Sequence, residues 1–493
     1  MGAFLDKPKT DKHYESGSGN GVRFALCSMQ GWRIDMEDAH TALTALGPPF
    51  DSWSFFGVFD GHAGGKVSKY CSEHLVRYVT DTEEFNQLKD ENLSPEKKRD
   101  FIKRGLVRGF LNLDEVMRKL PEVLAGEDRS GSTAICCLVT PDVIYLANCG
   151  DSRGIIVSKE TVTLATYDHK PVNPVEKERI HNAGGSVMIQ RVNGSLAVSR
   201  ALGDFEYKRV PGLGPFEQLI SPEPEISDWG RGPQDEFVLL ACDGVWDVMN
   251  NEEVSQFVRY QLTVTDDLEK ICEGLVDNCL NKGSRDNISV ILIVLPGAPR
   301  LSEEARQNEE SIERSIESAV KDILQKDQQT PGQHPELDVT TLTHMVHQVL
   351  EKNGVTFPPG TCISAKRNVI ERTWKELRPS EELRQEPGRA ATSTIMSLFR
   401  AKQQTAVSEG SPTSPHPPEN TLQGTAAEQT ASTEDDPPLD LNPPIAQAPS
   451  DHRPDNSTNS HTPFSDNMAG DGVTPAAALQ MPPHPPLIDA EKI

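Results

Sequence analysis

Four aspartates in this chain stand where apolar runs begin or end. Phe55-Phe56-Gly57-Val58-Phe59 stops at Asp60-Gly61-His62, and Val143 to Cys149 stops at Gly150-Asp151. Phe237 to Cys242 stops at Asp243-Gly244, and Asp286-Asn287 opens the run Ile288 to Leu295. Aspartate offers hard oxygen ligands to a cation such as Mg²⁺ or Mn²⁺. Gly61 leaves its own carbonyl exposed, and His62 can donate or accept a proton near neutral pH. Taken alone, Asp60-Gly61 reads first as a hairpin turn, since Asp-Gly is a strong turn signal.

Short apolar and aromatic runs of this kind are expected to be buried strands. In an antiparallel sheet the start of one strand lies beside the end of its neighbour, so all four acids can gather on one rim. Grouped carboxylates repel one another unless a cation neutralises them, which makes a metal site the economical explanation. Hydrolysis of a phosphate monoester needs an activated water, neutralised phosphoryl oxygens and a proton for the leaving alkoxide. The chain offers a candidate for each need: Asp60, Asp243 and Asp286 as ligands, Arg33 as a bidentate phosphate clamp, and His62 as the acid.

Other elements must hold these residues. Gly31 to Asp38 alternates, so a strand is expected with Arg33, Asp35 and Glu37 on one face, Asp38 beside them, and Trp32, Ile34 and Met36 opposite. Helical spacing is expected over residues 64–79 and 97–120, and two further amphipathic helices over 250–262 and 266–281. Residues 191–215 mix Gly, Arg and Tyr with few hydrophobics and are expected to form a mobile surface segment. Asp204, Asp247 and His40 are read as structural. Beyond Pro296, residues 302–326, 337–352 and 366–377 are expected to be helical. The domain plan is therefore an N-terminal segment over 1–21, a catalytic domain over 22–297, a helical C-terminal domain over 298–378, and a tail over 379–493. That tail is rich in Pro, Ser, Thr and Gln, cannot bury enough apolar area to offset its ordering entropy, and is expected to be disordered.

The formal charge of −25 argues against nucleic acid as a partner, because phosphate backbones would be repelled. The nine cysteines lack the paired spacing of a zinc site or disulfide framework, and no signal peptide or membrane-length apolar span is present. A reducing compartment, cytosolic or nuclear, is expected. Met1-Gly2 half matches an N-myristoylation signal, with Asp6 where Ser or Thr is usual.

Six runs taken together resemble the ordered motif set of the metal-dependent (type 2C, PPM) protein serine/threonine phosphatases. They are Gly31-Trp32-Arg33 with Met36-Glu37-Asp38-Ala39-His40, Phe59-Asp60-Gly61-His62-Ala63-Gly64, Asp128 to Ala134, Cys149-Gly150-Asp151-Ser152-Arg153, Ala241 to Asp247, and Gly283 to Asn287. The resemblance implies an α+β fold with a central antiparallel β-sandwich flanked by helices and metals at one end. It implies two Mg²⁺ or Mn²⁺ ions bridged by Asp60, with Asp243 and Asp286 on one and the Gly61 carbonyl on the other. Glu37 and Asp38 would act through water, and Asp151 with Asp243 would match a weaker third position. Arg33 would bind the phosphate of phosphoserine or phosphothreonine proteins, Arg191 would sit near the peptide, and His62 would protonate the leaving group while a metal-bridging hydroxide attacks phosphorus. Lipidation at Gly2 of a monomeric, mainly cytosolic enzyme is also implied, with weak membrane association. The runner-up from another class is a pseudophosphatase or metal-binding scaffold, which would be expected to lack a ligand. The tail after residue 380 departs from the pattern.

Overall fold

The computed structural model describes residues 4–90, 92–329 and 337–378. Gly2 and the tail read as disordered over 379–493 lie outside the described residues. Two antiparallel sheets form the centre. The first runs in the order Phe4–Gly19, Val22–Arg33, Ile288–Val294, Asp235–Ala241, Arg153–Ser158, Thr161–Ala165. The second runs Glu225–Gly230, Val143–Cys149, Ala134–Val139, Ser54–Phe59, Ala39–Leu43.

The central strands Ser54–Phe59, Ala134–Val139, Asp235–Ala241 and Ile288–Val294 are buried at every position because both of their faces are covered. In Asp235–Ala241, Val238 and Leu240 meet Phe56, Val58, Ile135 and Leu146 of the opposite sheet. Phe237, Leu239 and Ala241 point the other way, onto the helices Asn251–Val264 and Leu268–Asn281. The second sheet is covered in the same manner by Lys66–Thr80, which buries Val67, Cys71, Leu75 and Val79 at a spacing of four, and by Pro95–Met117. Each such side chain contributes roughly 1.5–3 kcal/mol on burial. Helix starts follow local chemistry. Ser94 caps Pro95–Met117 with Pro in the first turn, and Asn250 with Glu253 forms a capping box.

Three helices, Glu303–Gln329, Val339–Lys352 and Arg367–Leu377, pack around Ile316, Val320, Leu342, Val346 and Trp374. Tyr260 Oη donates to Glu309 Oε2 at 3.0 Å and Asn281 Nδ2 to Ser364 O at 3.0 Å, joining this region to the sandwich helices.

Three expectations need correction. Phe4–Gly19 is a strand, paired with Val22–Arg33 through the Asn20-Gly21 turn, in which both residues have positive φ. Its own side chains are mostly polar and exposed, so periodicity hid it, while Asn-Gly was the available hairpin signal. The strand expected over 31–38 ends at Arg33, and Ile34 and Met36 are exposed. Residues 191–215 are not a bare surface segment: Val192, Val198, Ala201 and Leu202 are buried, the first three in a small cluster with Ile180 and Ile220.

Candidate active site

Asp60 follows the Ser54–Phe59 strand, and its backbone carbonyl accepts Thr133 N–H at 2.9 Å. Burial holds its carboxyl well above the ordinary 3.8, and the charges of Asp243, Asp38, Asp151 and Asp286 add to the effect. Asp243 is raised likewise, by burial and then by Asp151, Asp286 and Asp247. The acids carried by the two sheets therefore meet at one end of the sandwich, close enough to sense each other's charge.

Burial pushes Asp38 up to about 6, against the hydrogen bond that Ser289 Oγ donates to its Oδ2 at 2.6 Å. Asp38 Oδ1 is buried and has no hydrogen-bond partner. Asp38, Asp60 and Cys242 each present one donor atom, all within 4.8 Å of one another. An orphaned carboxylate oxygen beside mutually repelling carboxylates suits a hard divalent cation. Cys242 adds a thiol raised first by burial. Its sulfur accepts Ser289 N–H at 3.2 Å and donates to Asn287 O at 3.4 Å, so oxygen donors define the set.

The loop carrying Glu37 and Asp38 owes its path to Asn287. Asn287 Nδ2 donates to Gln30 O at 2.8 Å and Asp35 O at 3.0 Å, and its Oδ1 accepts Glu37 N–H at 2.8 Å. One side chain takes backbone groups that a continued strand would have paired. Glu37 Oε1 in turn accepts Gly64 N–H at 2.6 Å.

Arg33 Nη2 donates to Asp286 Oδ2 at 2.5 Å, while Arg33 Nε is buried without a partner. Asp151 is ion-paired with Lys170. Gly61 is buried in a two-residue strand opposite Ser132. His62 Nε2 lies 2.7 Å from Asp204 Oδ2. Burial lowers the His62 pKa, but the charge and hydrogen bond of Asp204, with Asp151 and Glu37, outweigh it and leave it above 6.5. Asp204, read from sequence as structural, thus touches the candidate acid. Arg191 is exposed on a separate hairpin with Nη1 donating to Ser195 O at 2.8 Å, and among the described residues it makes no contact with the acid rim.

Residues 22–288 match the family model for protein phosphatase 2C, and residues 289–375 match that for the protein serine/threonine phosphatase 2C C-terminal domain. The chain belongs to the protein phosphatase 2C family. It is 54% identical to protein phosphatase 1A of Bos taurus over 380 residues, 77% of this chain and 96% of that one. It is 51% identical to protein phosphatase 1B of Mus musculus over 382 residues, 78% of this chain and 96% of that one. A solved phosphatase from Toxoplasma gondii is similar at 27% identity over 58% of this chain and 96% of that one, with a TM-score of 0.49.

Proposed function

We propose that this phosphatase hydrolyses phosphoserine and phosphothreonine on proteins with Mg²⁺ or Mn²⁺ held by its acidic rim. The observation that carries the reading is the group of half-buried, mutually repelling carboxylates of Asp38, Asp60 and Asp243, with the buried Asp38 Oδ1 unpartnered. Asp60, Asp243, Asp286 and the Gly61 carbonyl would hold two ions, Glu37 and Asp38 would assist through water, and Asp151 would serve a weaker third position. When bound, such cations neutralise phosphoryl oxygens and acidify water.

The chain's own groups supply the rest. Arg33, oriented by Asp286, offers its remaining guanidinium N–H groups to the phosphoryl oxygens. Water is the nucleophile, so no side chain becomes phosphorylated. His62 holds the proton that the departing serine or threonine oxygen receives. Arg191, on its separate exposed hairpin, would meet the peptide away from the acid rim. The enzyme works as a cytosolic monomer, and an acyl chain on Gly2 adds marginal membrane affinity.

The test is phosphate release from a phosphothreonine peptide with and without Mn²⁺ or Mg²⁺, wild type against Asp60→Asn. Metal-dependent turnover abolished in the variant supports the reading. Wild type without turnover in either metal would leave a metal-binding scaffold.

A further inference from the structure

The contact between His62 and Asp204 is built rather than incidental. Three two-residue strands, Leu202–Gly203, Gly131–Ser132 and Gly61–His62, form a small sheet in that order. His62 and Gly203 both lie opposite Gly131 in register. A Cβ on Gly131 would stand 2.2 Å from Asp204 Oδ2 and 2.4 Å from His62 Nε2, so the hydrogen bond crosses the space where a side chain would be. Gly203 has φ +76, and Asp204 itself lies in the left-handed region at φ 50. The turn is held from behind: Asp114 Oδ1 accepts Gly203 N–H at 2.8 Å and Lys208 Nζ at 2.7 Å. Asp204 N–H donates to Ser130 O at 3.2 Å. Asp204 is 5% exposed, whereas the His62 side chain is 27% exposed. The carboxylate is thus anchored, and the imidazole reaches outward from it.

We infer that Asp204 is a positioning residue that fixes the orientation and tautomer of His62 for protonation of the leaving oxygen. An ionised Asp204 can only accept, so Nε2 keeps its hydrogen. Nδ1, which has no hydrogen bond among the described residues, is then the nitrogen that gives up a proton. As the ester P–O bond breaks, the departing oxygen takes the Nδ1 proton, the imidazolium becomes the neutral Nε2–H tautomer, and Asp204 stays ionised throughout. This role rests on the reading of His62 as the acid.

The test separates the two. Asparagine tolerates the left-handed conformation, so Asp204→Asn keeps the backbone while its amide can present N–H to Nε2 and reverse the tautomer. Asp204→Gly, which the conformation also admits, is the second variant. Both are compared with His62→Gln on a phosphothreonine peptide and on p-nitrophenyl phosphate, whose phenolate leaves without a proton. Loss of the acid is expected to cost at least about tenfold in kcat on the peptide and under about threefold on the phenyl ester. The double variant His62→Gln/Asp204→Asn should be no slower than His62→Gln alone. In ¹⁵N-histidine-labelled protein, the wild-type His62 resonances should report Nε2–H, and Asp204→Asn should move them towards Nδ1–H. Equal losses on both substrates, multiplying losses in the double variant, or an unchanged tautomer would overturn the role of Asp204. If His62→Gln itself shows no difference between substrates, the acid reading falls and this inference with it.

Discussion

Arg33 and Asp286 are 253 positions apart in the chain, yet Nη2 of one lies 2.5 Å from Oδ2 of the other. The candidate phosphate clamp and a candidate cation ligand therefore share a charge-assisted hydrogen bond, and each fixes the direction of its partner. The guanidinium is partly spent on Asp286, and its buried Nε has no hydrogen-bond partner among the described residues.

Arg33→Ala should act on substrate more than on metal. Losing one charge-assisted hydrogen bond to phosphate costs about 1.5–3 kcal/mol, or about 10- to 150-fold in kcat/KM. Mn²⁺ affinity by calorimetry should change far less. An equal fall in both would show that the arginine serves Asp286 and not the phosphate.

The rim should trade stability for metal binding. Burial and the neighbouring carboxylates raise Asp243, so its ionised form is disfavoured in the fold at neutral pH. Asp243→Asn is expected to stabilise the metal-free protein by about 0.5–2 kcal/mol, read as a higher melting temperature. Wild type should gain about 2.7 kcal/mol in Mn²⁺ at a hundredfold excess over Kd, and the variant much less. Calorimetric scans with and without the ion decide it; a metal-free variant that melts below wild type would refute the repulsion.

Glu176 predicts an acid limit to stability. Its carboxylate accepts from Arg179 at 2.6 Å, Ser199 at 2.7 Å and Arg200 at 2.7 Å. Burial raises its pKa, but the Arg200 hydrogen bond and the charges of Arg179 and Arg200 outweigh this and bring it from 4.5 down to about 2. A depressed folded-state value stabilises above the unfolded value. The contribution, on the order of 3 kcal/mol, is whole above pH 4.5 and is lost as pH falls towards 2. Urea midpoints from pH 6 to 2 should fall less steeply for Glu176→Gln than for wild type; parallel curves would reject the assignment.

The Lys208–Asp114 pair should be costly to break from one side. Lys208 Nζ lies 2.7 Å from Asp114 Oδ1, with side-chain exposures of 1% and 4%. Lys208→Met leaves a buried carboxylate short of its main partner, and should cost about 3–5 kcal/mol in urea unfolding. Lys208→Met/Asp114→Asn should recover a substantial part of that loss. A double variant as unstable as the single would mean that packing, not charge, is what Lys208 supplies.

Sequence alone showed the chemistry that local patterning encodes. Uninterrupted apolar runs such as Phe237 to Cys242 announced strands covered on both faces, and the acids at their ends followed from the same runs. Spacing of four exposed the Lys66–Thr80 helix, and the ordered motifs pointed to the family. What escaped depends on partners distant in the chain. Alternation over 31–38 suggested a strand, but Asn287, 250 positions from Glu37, takes the backbone groups that a strand would use. Phe4–Gly19 has little apolar pattern and exists as a strand because its neighbour supplies the hydrogen bonds. Asp204 carried no signal as an isolated acid; it faces His62 because two glycine-bearing strands bring it across Gly131. Periodicity records which way a side chain faces, and so determined the layers and the acids that end them. Only tertiary structure could decide which residues meet on the rim, because hydrogen bonds and charges act through space, without regard to separation along the chain.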